Sequence, residues 1–182
     1  MIRFNDTYII GIDHGYGNLK TANTVTASGV KVHDIEPPFK KELLEFDGKF
    51  ICIGENHKSF TADKTTDMDN YYLTLYGIGK ELSLAGITEA NVHLAVGLPL
   101  MWYSEQRDRF SEYMLQNENV NFIYNKLFHS NKRGVAEIDF CVLLKPLLCK
   151  GFKLDSCHNL SLFAFFLKHY ALPVKLFLDL PS

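Results

Sequence analysis

Three features of this 182-residue chain predict an α/β fold built on a mixed sheet. Tyr8-Ile9-Ile10-Gly11-Ile12-Asp13 is a short apolar run that ends in a glycine-rich turn, the pattern of a buried strand. Tyr71, Leu75, Ile78, Leu82 and Ala85 recur at steps of four and three, which places them on one face of a helix. Val92-His93-Leu94-Ala95-Val96-Gly97 is a second buried-strand run. With 47% apolar and 22% charged residues the chain has the composition of a globular domain, not of a disordered segment or a coiled coil.

The remaining elements follow in order. Leu19 to Thr24 and Val30 to Asp34, separated by Ala27-Ser28-Gly29, are two further strands, and with the first they predict an antiparallel meander. Leu43-Leu44-Glu45-Phe46 and Phe50-Ile51-Cys52-Ile53 flank Asp47-Gly48, residues that take the positive φ of a two-residue hairpin turn. Thr65-Thr66-Asp67 supplies capping oxygens ahead of the helix at 71–85, and Gly86 stops it. Gly77 and Gly79 inside it cost roughly 1 kcal/mol each against alanine, which predicts close backbone packing there. Ser104 is expected to cap a second helix carrying Phe110, Tyr113 and Met114, and Val120 to Tyr124 returns to strand. Beyond His129 the apolar blocks Leu143-Leu144, Leu147-Leu148 and Leu160 to Leu167 commit to neither period.

Charge and composition narrow the function classes. A net charge of -2 excludes a chain-wide basic surface for nucleic acid or anionic membrane. Asp6 and Asp13 bracket the first apolar run, unlike a signal peptide, and Lys168, His169, Pro173 and Lys175 break the apolar segment from Leu160 to Leu180. The expectation is a cytoplasmic protein with no membrane partner. Cys52, Cys141, Cys149 and Cys157 form no C-x-x-C pair and read as buried free thiols. His33, His57, His93 and His129 share no ligand spacing, and Asp63, Asp67 and Asp69 read as the acidic start of a helix rather than a metal cluster. Trp102 and Tyr103 read as packing at a strand-to-helix corner.

The composition also divides the chain. Residues 1–130 carry 12 basic and 17 acidic side chains, whereas residues 131–182 carry 7 and 4. Phe and Leu together supply 20 of the first 130 residues but 18 of the last 52. Two regions are therefore expected, a domain at 1–130 with an inserted subregion at about 35–85, and a divergent tail at 131–182.

The sharpest chemical feature is Asp13-His14-Gly15-Tyr16-Gly17-Asn18-Leu19-Lys20, set between two strands. Gly15 and Gly17 allow the turn backbone to approach a ligand and offer its N–H groups to phosphate oxygens. Lys20 adds a positive charge, and Asp13 at the strand end suits a magnesium ion held through its waters. It is neither a Walker loop nor the dinucleotide G-x-G-x-x-G, because no third glycine and no helix follow. Read without further context, the alternative is an ordinary hairpin with solvated Asp13 and Lys20.

Asp13-x-Gly15-x-Gly17-x-x-Lys20 resembles the first phosphate motif of the actin, Hsp70 and sugar-kinase superfamily. More closely, Gly11 to Ala22, Glu36-Pro37-Pro38-Phe39, Gly54-Glu55, Ala62-Asp63-Lys64-Thr65-Thr66-Asp67 and Val92 to Leu100 resemble, in order, bacterial actin-like ATPases of the plasmid-segregation ParM/StbA type over roughly residues 8–129. The resemblance implies the first lobe of an actin-like, ribonuclease-H-like ATPase fold, with ATP and Mg2+ as cofactors and a filament-forming role in segregating plasmid or mobile-element DNA. It implies Asp13 as the magnesium-side carboxylate, Gly15, Tyr16, Gly17 and Asn18 as the phosphate-cradling turn, and Lys20 as a phosphate contact. Tyr16 stands where actins often have Ser or Thr. Partners implied are further copies or a full-length relative, with DNA reached indirectly through an adaptor.

The departures carry equal weight. A second Asp-x-Gly phosphate turn, a Gly-Gly adenosine contact and the Pro-Gln-Gly-like segment that positions the attacking water are all missing from the sequence. Phe140 to Pro146 does not align, and the tail is expected to be a frame-shifted or degenerate remnant. The expectation is thus a truncated, catalytically incomplete lobe. The alternatives are a non-enzymatic module that binds filaments of a full-length relative, and, behind it, a small-molecule kinase fragment.

Overall fold

The computed structural model describes residues 1–38, 42–59, 61–99, 102–125 and 132–139. Among these the chain forms ten strands and two helices: β1 Ile2–Phe4, β2 Thr7–His14, β3 Asn18–Lys20, β4 Val25–Ala27, β5 Val30–His33, β6 Leu43–Phe46, β7 Lys49–Ile53, α1 Asp69–Leu84, β8 Glu89–Val96, α2 Tyr103–Met114, β9 Asn119–Asn125 and β10 Lys132–Asp139. The sheet order is β4-β3-β2-β8-β10-β9-β6-β7-β5, with β1 added on β2. β2, β8 and β10 run parallel to their neighbours among one another, and every other pairing is antiparallel. This is the mixed α/β sheet expected, opened by an antiparallel meander.

The meander uses a different third strand from the one expected. β3 pairs with β4, Val25–Ala27, while Val30–His33 crosses over to pair with β7. The switch occurs at Gly29, whose N–H donates to Asn56 O (3.0 Å) and whose carbonyl accepts from Gly54 N–H (3.0 Å). A Cβ on Gly29 would stand 2.1 Å from Glu55 O, so only glycine lets the two segments touch here. Ser28 N–H, bonded to Gly17 O at 3.1 Å, holds the chain on the other side of the switch.

The hairpin β6–β7 forms as its sequence predicts, with Asp47 at φ 51° and Gly48 at φ 70°. The hairpin belongs to the main sheet, because β6 also pairs with β9.

Helix α1 lies against the sheet, and Tyr71, Leu75, Ile78 and Leu82 are buried as their spacing requires. Each such Leu or Ile contributes about 1.5–3 kcal/mol on full burial. The two helix glycines sit where the backbone meets the sheet. A Cβ on Gly77 would lie 3.0 Å from Ile12 Cδ1, and one on Gly79 would lie 2.8 Å from Phe122 Cε2. At the C-terminus Ile87 N–H bonds Leu82 O (2.9 Å) and Gly86 N–H bonds Ser83 O (3.1 Å) with Gly86 at φ 72°, a Schellman stop. At the N-terminus Asp67 accepts from Asp69 N–H (3.0 Å), while no side chain caps from the N-cap position, Met68.

Helix α2 starts one residue before the expected cap. Its N-cap is Trp102, and Ser104 lies inside the first turn. Phe110 and Met114 are buried as expected; Phe110 stacks on Tyr113 and meets the His14 ring edge-on.

β10 lies beyond the division expected near residue 130. It enters the sheet between β8 and β9, parallel to the first and antiparallel to the second. Cys52 is a buried free thiol, its pKa raised by that burial. The other three cysteines, His129, and the expected tail blocks from Phe140 onward lie outside the described residues. Among the described residues no helix is long and apolar enough to cross a membrane.

Candidate functional site

Strand alternation decides how the Asp13–Lys20 motif is presented. Ile10, Ile12 and His14 of β2 are buried on the face that meets α1, so Gly11 and Asp13 lie on the opposite face. Asp13 pairs with Lys20 and His14 with Leu19 across the β2–β3 hairpin. Directly opposed residues share a face, so Asp13 and Lys20 stand together on the open side while Leu19 joins the core. Lys20 Nζ is 3.9 Å from Asp13 Oδ2, with 41% and 24% of the two side chains exposed. The pair is loose.

The two glycines of the turn differ. A Cβ on Gly15 would lie 2.7 Å from the backbone oxygen of Asn18, so the turn itself demands glycine. A Cβ on Gly17 would meet only His57 Nδ1, at 3.8 Å, and that histidine nitrogen lies 2.6 Å from Gly17 O. Asn18 opens β3 and pairs with Ala27. Tyr16 reaches the segment before α1, its hydroxyl donating to Thr61 O (3.0 Å), while Ser28 donates to Tyr16 O. Burial raises the Tyr16 pKa.

Behind the turn lies a residue that periodicity did not single out. Lys64, only 6% exposed, donates from Nζ to His14 O (3.1 Å) at the end of β2 and to Gly97 O (3.2 Å) just past β8. Its pKa is lowered to about 8, first by burial, which Asp13 opposes and Lys58 reinforces. The one sequence signal for it was its place in the Ala62 to Asp67 block. His14 is buried beside it; Thr74 donates to Asn70 O (2.8 Å) and accepts from His14 Nε2 (2.7 Å), and among the described residues His14 Nδ1 has no partner. Burial, then Lys64 and Lys58, hold the His14 pKa well below the ordinary histidine value.

This arrangement suits a phosphorylated ligand. Two cations, Lys20 and Lys64, stand near the one carboxylate of the turn, Asp13, and the turn lies at the carboxyl ends of two adjacent parallel strands, where open α/β sheets bind their ligands. No group of three or more His, Cys, Asp or Glu side chains among the described residues gathers to hold a metal. A magnesium ion at Asp13 would therefore draw its remaining oxygens from water and from the ligand's phosphates, as magnesium commonly does. The residues present fit that pair of groups.

Comparison with known proteins identifies the family. The family model described as the N-terminal domain of actin-like proteins matches residues 11–135. Among solved structures, apo ParM of pSK41 is similar with a TM-score of 0.56 at 16% identity, over 76% of this chain and 50% of that one. Alp12 in its filament has a TM-score of 0.53 at 17% identity, over 76% and 46%. AlfA from B. subtilis plasmid pLS32, also in a filament, has 0.50 at 14%, over 74% and 55%. At these identities the likeness is one of fold, and the chain spans about half the length of each. No curated protein matches it.

Proposed function

Because the chain belongs to the family of actin-like protein N-terminal domains, we propose that it is the nucleotide-binding first lobe of a filament-forming ATPase that serves the segregation of plasmid or mobile-element DNA. The observation that carries this reading is the register of the β2–β3 hairpin, which sets Asp13 and Lys20 side by side beyond a turn that only glycine at position 15 allows. In this reading Lys20 pairs with phosphate oxygens, Asp13 faces a water-coordinated magnesium ion, and the Gly15–Asn18 backbone cradles the phosphate chain. When bound, ATP would supply the phosphoanhydride and Mg2+ the charge that neutralises it. Self-association is supported by the filament structures of Alp12 and AlfA; in this reading the link to DNA would run through an adaptor.

The lobe in this reading extends through β10, because that strand completes the pairing between β8 and β9. Hydrolysis in this fold depends on charge stabilisation and water positioning from two lobes, so a single lobe binds better than it turns over. The test is isothermal titration with MgATP on the full 182-residue chain, paired with a phosphate-release assay. Wild type should bind, Asp13→Ala should weaken binding at least tenfold, and turnover should be near the buffer rate. Equal affinity of wild type and Asp13→Ala would overturn the assignment. Binding to filaments of a full-length relative with no nucleotide affinity would establish the interaction module instead.

A further inference from the structure

The segment leading into α1 is fastened residue by residue. Thr61 O accepts from Tyr16, Ala62 O from Gln106 Nε2 (3.0 Å), and Lys64 O from Asn70 Nδ2 (2.7 Å). Between them Asp63 accepts from the Thr65 N–H (2.9 Å) and hydroxyl (2.8 Å) and pairs with Arg109 (2.5 Å). These contacts reach the turn, α1 and α2 at once, and the Lys64 side chain of this segment lies between the ends of β2 and β8.

A neutral donor would join two carbonyls without the cost of desolvating an ammonium, which is large for a side chain this buried. The charge therefore needs a use. The carboxylate that acts on it is Asp13, the neighbour of the residue whose carbonyl it holds, and Lys20 faces the same carboxylate from the open side. Lys64 thus stands behind the turn as Lys20 stands in front of it.

We propose that Lys64 is a positioning residue of the phosphate site: its buried charge, clamped between His14 O and Gly97 O, sets the affinity of the Asp13–Lys20 turn for the phosphate chain of a nucleotide. The inference rests on the function proposed above and adds to it a second cation that never touches the ligand. It acts through the field and through the fixed end of β2.

The experiment is a charge-against-donor comparison on the full chain, read by titration with MgATP and with magnesium pyrophosphate. Lys64→Gln keeps a hydrogen-bond donor and removes the charge; it should weaken both ligands at least tenfold. Lys64→Arg keeps charge and donors and should stay within threefold of wild type. Gln binding like wild type would overturn the proposal, as would Gln and Arg weakening both ligands equally, which marks a purely structural strut. Should Lys64→Gln fail to fold, Asn70→Ala releases the Lys64 carbonyl and keeps its charge, and should weaken MgATP about threefold; no change overturns the proposal. Asp13→Ala run alongside separates the two levels. If it loses MgATP while Lys64→Gln does not, only the Lys64 inference fails; if wild type binds neither ligand, both fail.

Discussion

Two lysine–carboxylate pairs in this molecule are built to opposite standards. Glu42, just before β6, accepts from the Tyr76 hydroxyl, the Tyr124 hydroxyl (3.0 Å) and Lys80 Nζ (3.3 and 3.4 Å), and Lys80 donates in turn to Thr26 (3.0 Å) and Tyr76 (2.8 Å). Lys80 is 12% exposed, and Glu42 keeps its place although its backbone is left-handed, at φ 53°. Asp13 and Lys20, by contrast, meet at 3.9 Å on an open face, and among the described residues no hydrogen bond reaches the Asp13 carboxylate. A closed network uses up its donors and acceptors and so serves the fold; an open pair keeps them for a ligand.

The strongest way to break that contrast is to truncate both carboxylates and follow urea unfolding. Glu42→Ala strands Lys80 and two tyrosine hydroxyls and should cost about 3 kcal/mol, the scale of breaking a largely buried pair. Asp13→Ala should cost less than about 1 kcal/mol, as exposed pairs do. Equal costs would mean that the turn is structural after all. Acid gives an independent check. Burial pushes the Glu42 pKa up, but the bonds from Tyr76 and Tyr124 and the charge and bond of Lys80 outweigh it, leaving the carboxyl below its ordinary value of 4.5. A folded-state pKa that is depressed gives stability above the unfolded value and loses it as pH falls. Stability should therefore drop as pH falls below about 4.5, and Glu42→Gln should flatten that drop.

The next effect in size separates the two glycines of the turn. Gly15→Ala forces a Cβ against Asn18 O, a backbone atom that cannot swing aside, and should cost about 2 kcal/mol while loosening the β2–β3 register. Gly17→Ala meets only a histidine ring at ordinary contact distance and should cost less than about 0.5 kcal/mol. Circular dichroism melts of the two variants check this directly.

How legible each part was in the sequence follows from the range of the interaction that decides it. The β2 run, the α1 stripe with its Gly86 stop and the Asp47-Gly48 turn are settled by neighbours a few residues apart and form as read, except that Ala85, the last residue of the expected stripe, is the exposed C-cap. Gly77 and Gly79 were legible as close-packing sites because glycine inside a helix needs a reason. The meander's third strand was not, because Val25–Ala27 and Val30–His33 are equally strand-like, and Gly29 decides between them through contacts with residues 54–56. β10 was missed because Lys132, Arg133, Glu137 and Asp139 interrupt any alternation, and its place depends on two strands already set. At the site, Asp13, Gly15 and Lys20 were visible as a local motif. Lys64 was not, since one lysine among 19 basic residues shows no period, and its burial follows only from where β2 and β8 end.

The smallest difference within a pair is expected between two hydroxyls, one from each region. Tyr124 donates to the charged Glu42 inside the closed network, whereas Tyr16 donates to the neutral carbonyl of Thr61 in a partly open setting. Hydrogen bonds to charged groups contribute about 1.5–3 kcal/mol and neutral ones about 0.5–1.5. Tyr124→Phe should thus cost about 1.5 kcal/mol and Tyr16→Phe about 0.5–1 kcal/mol by urea unfolding. The Tyr16 bond also moors the segment that carries Lys64, so its loss should be felt at the ligand as well. MgATP affinity of Tyr16→Phe should fall two- to threefold, roughly 0.4–0.65 kcal/mol, whereas Tyr124→Phe should leave it unchanged. If both variants lost stability alike and neither altered MgATP binding, the turn would be as closed as the Glu42 network, and the contrast between the two pairs would not hold.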